Sequence, residues 1–160
     1  MELQKFKNKY IIIIIVVLLL ILILEYVYGN NYSSISLLTD NWINTVTIDK
    51  NPQKIYDLFS SDGILLGTVS RITRTGIDIK KYFDYFAKLP GLKVIRKKYD
   101  IKKITNNVFM NITYITWEWE GQEPLTANMV FIFKGNKIYY LNSSTLPEVN
   151  ESLLKISGKK

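Results

Sequence analysis

The chain has 160 residues, and neither cysteine nor histidine is among them. The lack of cysteine excludes disulfides and thiolate chemistry, and it removes the usual clue to the redox compartment. The lack of histidine excludes Ser-His-Asp and Cys-His nucleophile activation, imidazole-bound metals and the commonest general base near neutral pH. We therefore expect no metal and no cofactor, and any acid–base catalysis would have to use carboxylates or tyrosines.

Acidic residues are in the minority, with 14 Asp and Glu against 21 Lys and Arg, which gives a net charge of +7. Such an excess suits an anionic partner such as nucleic acid or lipid headgroups, but lysines spread over a solvated surface produce the same total. The densest basic stretch, Lys93–Lys103, has apolar residues between its charges, and this pattern predicts the solvated face of an outer strand. We expect no nucleic-acid partner.

A long apolar run, Tyr10–Leu24, lies near the N-terminus, and after Glu25 it continues to Tyr28. Segment 10–28 is close to the roughly 20 residues that cross the hydrocarbon of a bilayer. Three lysines precede the run, and no Lys or Arg follows it until Lys50. This asymmetry predicts one transmembrane helix with the N-terminus inside and the domain extracytoplasmic or lumenal.

A cleavable signal sequence is the alternative, and cleavage near Gly29 would give a secreted protein. The length of the apolar run and the lack of an A-x-A site favour a retained anchor. The chain then divides into a basic flank (1–9), the anchor or signal sequence (10–28), a linker (29–36), a globular domain (37–148) and a polar tail (149–160).

The first half of the globular domain has mainly helical patterning. Apolar residues recur at helical spacing over Ile35–Val46, and Pro52 is placed to begin a second, short helix. After the turn Ser60–Gly63, the run Ile64–Ser70 predicts a buried strand. Thr75–Asp78 fits a capping box at the start of a third helix that ends before Pro90.

After Gly91 the apolar period changes to two, which predicts strands. Gly121–Pro124 and Gly135–Asn136 are the expected hairpin turns. The patterns predict an α+β fold in which a curved antiparallel sheet packs on three helices. The four strands are expected at Lys93–Ile104, Val108–Trp119, Leu125–Lys134 and Lys137–Ser144.

Three segments resemble a known family: Asp62–Ser70, Arg74–Phe83 and Ser143–Glu148. Their order and spacing are similar to the nuclear transport factor 2-like (SnoaL-like) superfamily, in particular the SgcJ/EcaC group and the calcium/calmodulin-dependent protein kinase II association domain. The resemblance implies a cone-shaped sheet wrapped around helices, with a pocket inside. The family includes small-molecule isomerases and cyclases as well as inert oligomerisation modules, so the resemblance leaves the function open.

The chain departs from the pattern of this branch at the pocket. The branch usually has an arginine where this chain has Asn128, and two histidines where it has Leu141 and Asn142. Arg74 keeps its match. The resemblance therefore implies a site reduced to Arg74, amides and hydroxyls.

The candidate ligand-pocket residues are Arg74, Asn128, Asn142, Ser143 and Trp117. Arg74 could bind a carboxylate, or it could pair with a neighbouring aspartate. The amides and the hydroxyl could form hydrogen bonds with a ligand, although Ser143 could simply satisfy the end of a strand. Trp117 could stack on a planar ligand, or it could pack in the core or in an oligomer interface.

We expect a membrane-tethered, non-catalytic module for ligand binding or oligomerisation. Its partners would be the membrane, through the N-terminal helix, further copies of the chain (dimer or higher) and a small-molecule ligand. The alternative is an isomerase- or cyclase-type enzyme acting on a small apolar carbonyl compound, with Asp62 or Tyr56 as the acid–base group. A secreted form of either stays open.

Overall fold

The computed structural model describes the backbone of residues 2–68 and 72–145, and the side chains of 13–23, 32–68 and 72–145. The end of the predicted first strand at Val69–Ser70, the pair Pro147–Glu148 and the polar tail 149–160 lie outside the described residues. The elements, in chain order, are α1 (Glu2–Asn44), a π-helix (Thr45–Asp49), α2 (Pro52–Asp57), β1 (Phe59–Leu66), β2 (Thr73–Thr75), α3 (Ile77–Phe86), β3 (Lys93–Thr105), β4 (Val108–Glu118), β5 (Leu125–Lys134) and β6 (Lys137–Thr145).

Helix α1 is continuous from Glu2 to Asn44. It includes segment 29–36, which the sequence predicted to be a linker without helical periodicity. Its last turns pack in the core through Ile35, Trp42 and Ile43. Within the described residues, no helix is long and apolar enough to cross a membrane.

The two short helices begin differently. The side chain of Asn51 accepts hydrogen bonds from the backbone N–H groups of Gln53 and Lys54, so it caps α2, and Pro52 occupies the first turn as predicted. The capping box predicted at Thr75–Asp78 is wrong. Thr75 belongs to strand β2, and Gly76, with a φ of 51°, is the N-cap of α3 without any side-chain cap.

The α+β class and the four predicted strands are confirmed, but the sheet has six strands, in the order β2-β1-β6-β5-β4-β3. The prediction of a fully antiparallel sheet is wrong for one pair, because β1 and β6 run parallel. Elements β2, α3 and β3–β5 lie between β1 and β6 in the chain, and β6 then lies beside β1 and runs in the same direction. Strand β1 also starts at Phe59, and the predicted turn Ser60–Gly63 is an irregularity within it.

The two faces of the sheet have different surroundings, as the burial of alternate residues shows. On β4, the side chains of Ile115 and Trp117 are buried against the helices, whereas Tyr114 points to the opposite face, called here the outer face. The core is rich in aromatic residues. Trp42 of α1 lies at its centre, with ring centroids 5.9 Å from Phe83 and 5.1 Å from Phe131.

Candidate functional site

The space between the helices and the sheet is almost completely filled. A cavity lined by described residues has a volume of about 10 Å³ there, close to the room that one water molecule needs. Large side chains occupy the space instead, and they meet edge to face, an arrangement that aromatic rings favour. The apolar residues around the cavity include Trp42, Phe83, Phe86, Trp117, Met129 and Leu141.

Tyr82 is the wall between this inner cavity and a larger hollow on the surface. It lines both spaces, and the outer hollow has a volume of about 470 Å³. The Tyr82 ring stacks on Phe86 and lies so close to Gly67 that a Cβ at Gly67 would be 2.4 Å from Tyr82 Cζ. Glycine at position 67 is therefore required for the ring to close the inner cavity.

Arg74 lies at the outer hollow and not in the core. Its guanidinium carbon is 4.7 Å from the centroid of the Tyr82 ring, a cation–π distance, and its Nη1 donates to the backbone oxygen of Ile72 at 2.8 Å. Asp78 also lines this hollow but pairs with Lys81 at 2.9 Å. The volume of the hollow is in the range of small-molecule sites. A ligand role for Arg74 stays a prediction.

The other four predicted pocket residues divide between the two faces of the sheet. Ser143 and Trp117 line the inner cavity, where the hydroxyls of Ser143 and Thr68 form a hydrogen bond with each other. Asn128 and Asn142 lie on the outer face, because the neighbouring residues in their strands, such as Met129 and Leu141, face the core. The five predicted residues therefore do not converge on one cavity.

The weak catalytic candidates lie away from both spaces. Asp62 is exposed in the irregular part of β1, and Tyr56 on α2 packs at the edge of the core. Neither lines the inner cavity or the outer hollow. Among the described residues around the inner cavity, the Tyr82 phenol is the one ionisable group. No group of Asp and Glu residues within the described part of the chain could hold a metal ion.

A polar cluster that the sequence did not predict joins α1 to β3. The carboxylate of Asp40 accepts hydrogen bonds from Lys97 and from the Tyr99 hydroxyl. Burial works to raise the pKa of Asp40, but these hydrogen bonds and the charge of Lys97 outweigh it, so the pKa lies below its usual value. Burial, together with the hydrogen bond to Asp40 and the charge of this carboxylate, raises the pKa of Tyr99 well above its usual range.

Solved structures with the same arrangement identify the fold. A candidate calcium/calmodulin-dependent protein kinase II association domain from Xanthomonas campestris superposes with a TM-score of 0.62 at 24% identity, over 72% of this chain and 87% of that one. The chain has the nuclear transport factor 2-like fold. This likeness in structure confirms the resemblance that the sequence motifs indicated.

Two further structures with this fold carry enzyme names. One is a candidate scytalone dehydratase from Novosphingobium aromaticivorans (TM-score 0.60, 12% identity, 74% of this chain and 86% of that one). The other is a candidate ketosteroid isomerase from Parabacteroides distasonis (TM-score 0.54, 12% identity, 72% and 88%). No protein-family model and no curated protein matches the sequence. At these identities the likeness establishes the fold and leaves the function to be argued from the site.

Proposed function

We propose that the chain is a membrane-tethered, non-catalytic association module that pairs with a second copy of itself. The filled interior carries this proposal. In the described residues, the space between the helices and the sheet contains aromatic side chains and a cavity of about 10 Å³. Among the described residues that line this cavity, Tyr82 supplies the one group for acid–base chemistry, and none is a carboxylate, lysine or arginine.

The outer face of the sheet provides a surface for association. The strand registers place three rows of side chains across it, and the middle row runs from Leu66 through Asn142 and Val130 to Ile112. A row beside it contains Ile64, Tyr140, Ile132 and Met110. A contiguous apolar patch of this kind is typical of a protein–protein interface.

Charged residues border the apolar rows on one side. Strand β3 continues the rows with Lys98, Asp100 and Lys102. An apolar centre with a charged rim matches the anatomy of an interface, and the same patch on a second copy allows a two-fold, self-complementary contact. The association-domain name of the Xanthomonas campestris structure also supports this proposal.

The apolar run is the proposed membrane tether. In the sequence it extends from Tyr10 to Tyr28, and its described side chains, Ile13–Ile23, lie on α1 with exposed fractions between 45% and 60%. A helix that is apolar on all sides is stable in hydrocarbon rather than in water. With lysines before the run, the orientation would put the domain on the extracytoplasmic or lumenal side.

The association is tested by the mass of the full-length chain in detergent micelles, measured by sedimentation equilibrium. We expect a dimer or a higher oligomer for the unmodified chain, and a monomer for Val130→Lys, which places a charge at the centre of the outer face. Ile77→Lys is the matched control, because Ile77 is an exposed apolar residue at the start of α3, away from that face. Matching near-ultraviolet circular dichroism would show that Val130→Lys is folded.

A chain that is monomeric at every concentration would overturn the association. So would an Ile77→Lys variant that dissociates as readily as Val130→Lys.

A further inference from the structure

Helix α1 and strand β3 lie side by side in opposite directions, and this fixes which end of the domain is nearest the apolar run. Near the start of the packed part of α1, the Tyr32 ring lies 6.5 Å from the ring of Phe109, which is paired with Lys103 of β3. Two turns later along the helix, Asp40 contacts Lys97. The part of α1 nearer the apolar run therefore lies beside the part of β3 nearer the β3–β4 turn.

The rise per residue of a helix and of a strand indicates that the β3–β4 turn is near the end of the apolar run. From Tyr32 back to Leu24 the helix rises about 12 Å, at 1.5 Å for each of eight residues. From Lys103 to the turn at Asn106 the strand advances about 10 Å, at 3.3 Å for each of three residues. From these rises we expect the turn and the end of the apolar run at the same level to within roughly one helical turn.

A second hairpin turn lies at the same end. The backbone N–H of Gly135, in the β5–β6 turn, donates to the backbone oxygen of Asn107 at 2.9 Å and joins the two turns. Four lysines and an exposed isoleucine surround them, and together they form what is called here the basal face: Lys102, Lys103, Ile104, Lys134 and Lys137.

The basal face is positively charged and includes an exposed apolar side chain. Ile104 is 53% exposed, at a register irregularity that ends β3. The sequence has no Asp or Glu between Asp100 and Glu118, or between Glu123 and Glu148. Two of its lysines have partners: Lys102 pairs with Asp100 at 2.9 Å, and Lys137 donates to the backbone oxygen of Asp57.

We propose that the basal face docks on anionic lipid headgroups of the membrane that holds the tether. Lysines attract a negatively charged lipid surface, and an exposed aliphatic side chain beside them can enter the boundary between headgroups and acyl chains. The domain would then stand on the bilayer in one orientation, with the outer face of the sheet perpendicular to the membrane plane and accessible to a second copy in the same bilayer. This inference rests on the proposed tether.

Depth measurements on the full chain in lipid nanodiscs test the docking. The chain has no cysteine, so single-cysteine variants can carry a nitroxide at one chosen position. Ile104→Cys reports the basal face, Leu18→Cys the apolar run, and Gln122→Cys, in the turn between β4 and β5, the opposite end of the sheet. Accessibility to oxygen, which partitions into lipid, is compared with accessibility to a water-soluble nickel chelate.

With phosphatidylglycerol mixed into phosphatidylcholine, we expect position 18 in hydrocarbon, position 104 at headgroup depth and position 122 in water. If position 18 is in hydrocarbon but position 104 matches position 122, the docking is wrong while the tether stands. If position 18 is in water, the tether fails and the docking fails with it.

Charge reversal tests the role of the lysines. In the Lys103→Glu/Lys134→Glu variant, we expect the label at position 104 to move into water. The control is Lys88→Glu/Lys93→Glu, which has the same charge change at the far end of the domain and should leave position 104 at headgroup depth. A label at position 104 that stays equally deep in pure phosphatidylcholine would overturn the assignment to anionic lipid.

Discussion

The close contact between Gly67 and Tyr82 leads to a prediction about the stability of the fold. In Gly67→Ala, the added Cβ would lie within 2.4 to 2.6 Å of three atoms at the tip of the Tyr82 side chain, which is closer than non-bonded atoms can approach. The φ of Gly67 is outside the left-handed region, so alanine adds no backbone strain. The Tyr82 ring must therefore move.

The expected loss in the free energy of unfolding depends on the contacts that hold the Tyr82 ring and on the space into which the ring can move. Tyr82 stacks on Phe86 with centroids 5.8 Å apart, and it meets Phe83 edge to face at 5.1 Å. Displacement weakens both contacts, but the outer hollow can accept the tip of the ring. We expect Gly67→Ala to lower the free energy of unfolding by about 1–2 kcal/mol, in the lower part of the range for overpacked sites.

A double-mutant cycle isolates this contact. In a Tyr82→Ala background the clash partner is gone, so Gly67→Ala should cost nothing, or should stabilise by about 0.5 kcal/mol through the stiffer unfolded chain. The free energies come from urea denaturation in detergent micelles, followed by tryptophan fluorescence, since Trp42 and Trp117 are buried. If Gly67→Ala costs as much without the Tyr82 ring as with it, Tyr82 is not the wall of the inner cavity.

Two further predictions concern polar contacts between α1 and the sheet. The pKa of Asp40 is lowered in the fold, so its contribution to stability is complete above the usual carboxyl pKa and is lost as the pH falls through the lowered value. Asp40→Asn should therefore lower stability by about 1 kcal/mol or less at neutral pH. It should also reduce the loss of stability as the pH falls below about 4, measured by urea denaturation across pH; an unchanged acid dependence would contradict the assignment. In the core, Asn111 Nδ2 donates to Thr39 Oγ1 at 2.8 Å, with both residues fully buried. Thr39→Val should cost about 1–3 kcal/mol, because it leaves a buried amide without its acceptor, while Thr39→Ser keeps the oxygen and should cost clearly less; equal losses would point to packing and not to the hydrogen bond.

The parts of the fold that local patterns determine were predictable from the sequence. The β3–β6 meander follows from a period of two and from glycine turns such as Gly121 and Gly135, whose positive φ values favour glycine. The pairing of β1 with β6 was not predictable, because it joins segments far apart in the chain. The continuation of α1 through segment 29–36 was not predictable either, because no apolar periodicity marks this segment.

The predicted site failed to converge for a reason that lies in the sheet. Both faces of β5 carry apolar residues, Met129 and Phe131 toward the core and Val130 and Ile132 outward. Alternation alone therefore could not assign Asn128 to a face. The part played by Tyr82 was equally hidden, because its contact with Gly67 depends on how α3 packs beside β1.

The parallel pairing of β1 with β6 has a consequence for the order of events during synthesis. The β3–β6 meander consists of neighbours along the chain and can form early, since such contacts close short loops. Strand β1 leaves the ribosome before any of these strands, yet one of its two partners is β6, which follows all the other described strands along the chain. The edge of β1 that pairs with β6 must therefore stay without its partner until β6 has emerged. If the apolar run is already held at the membrane, this unpaired edge of β1 is exposed beside the bilayer until then.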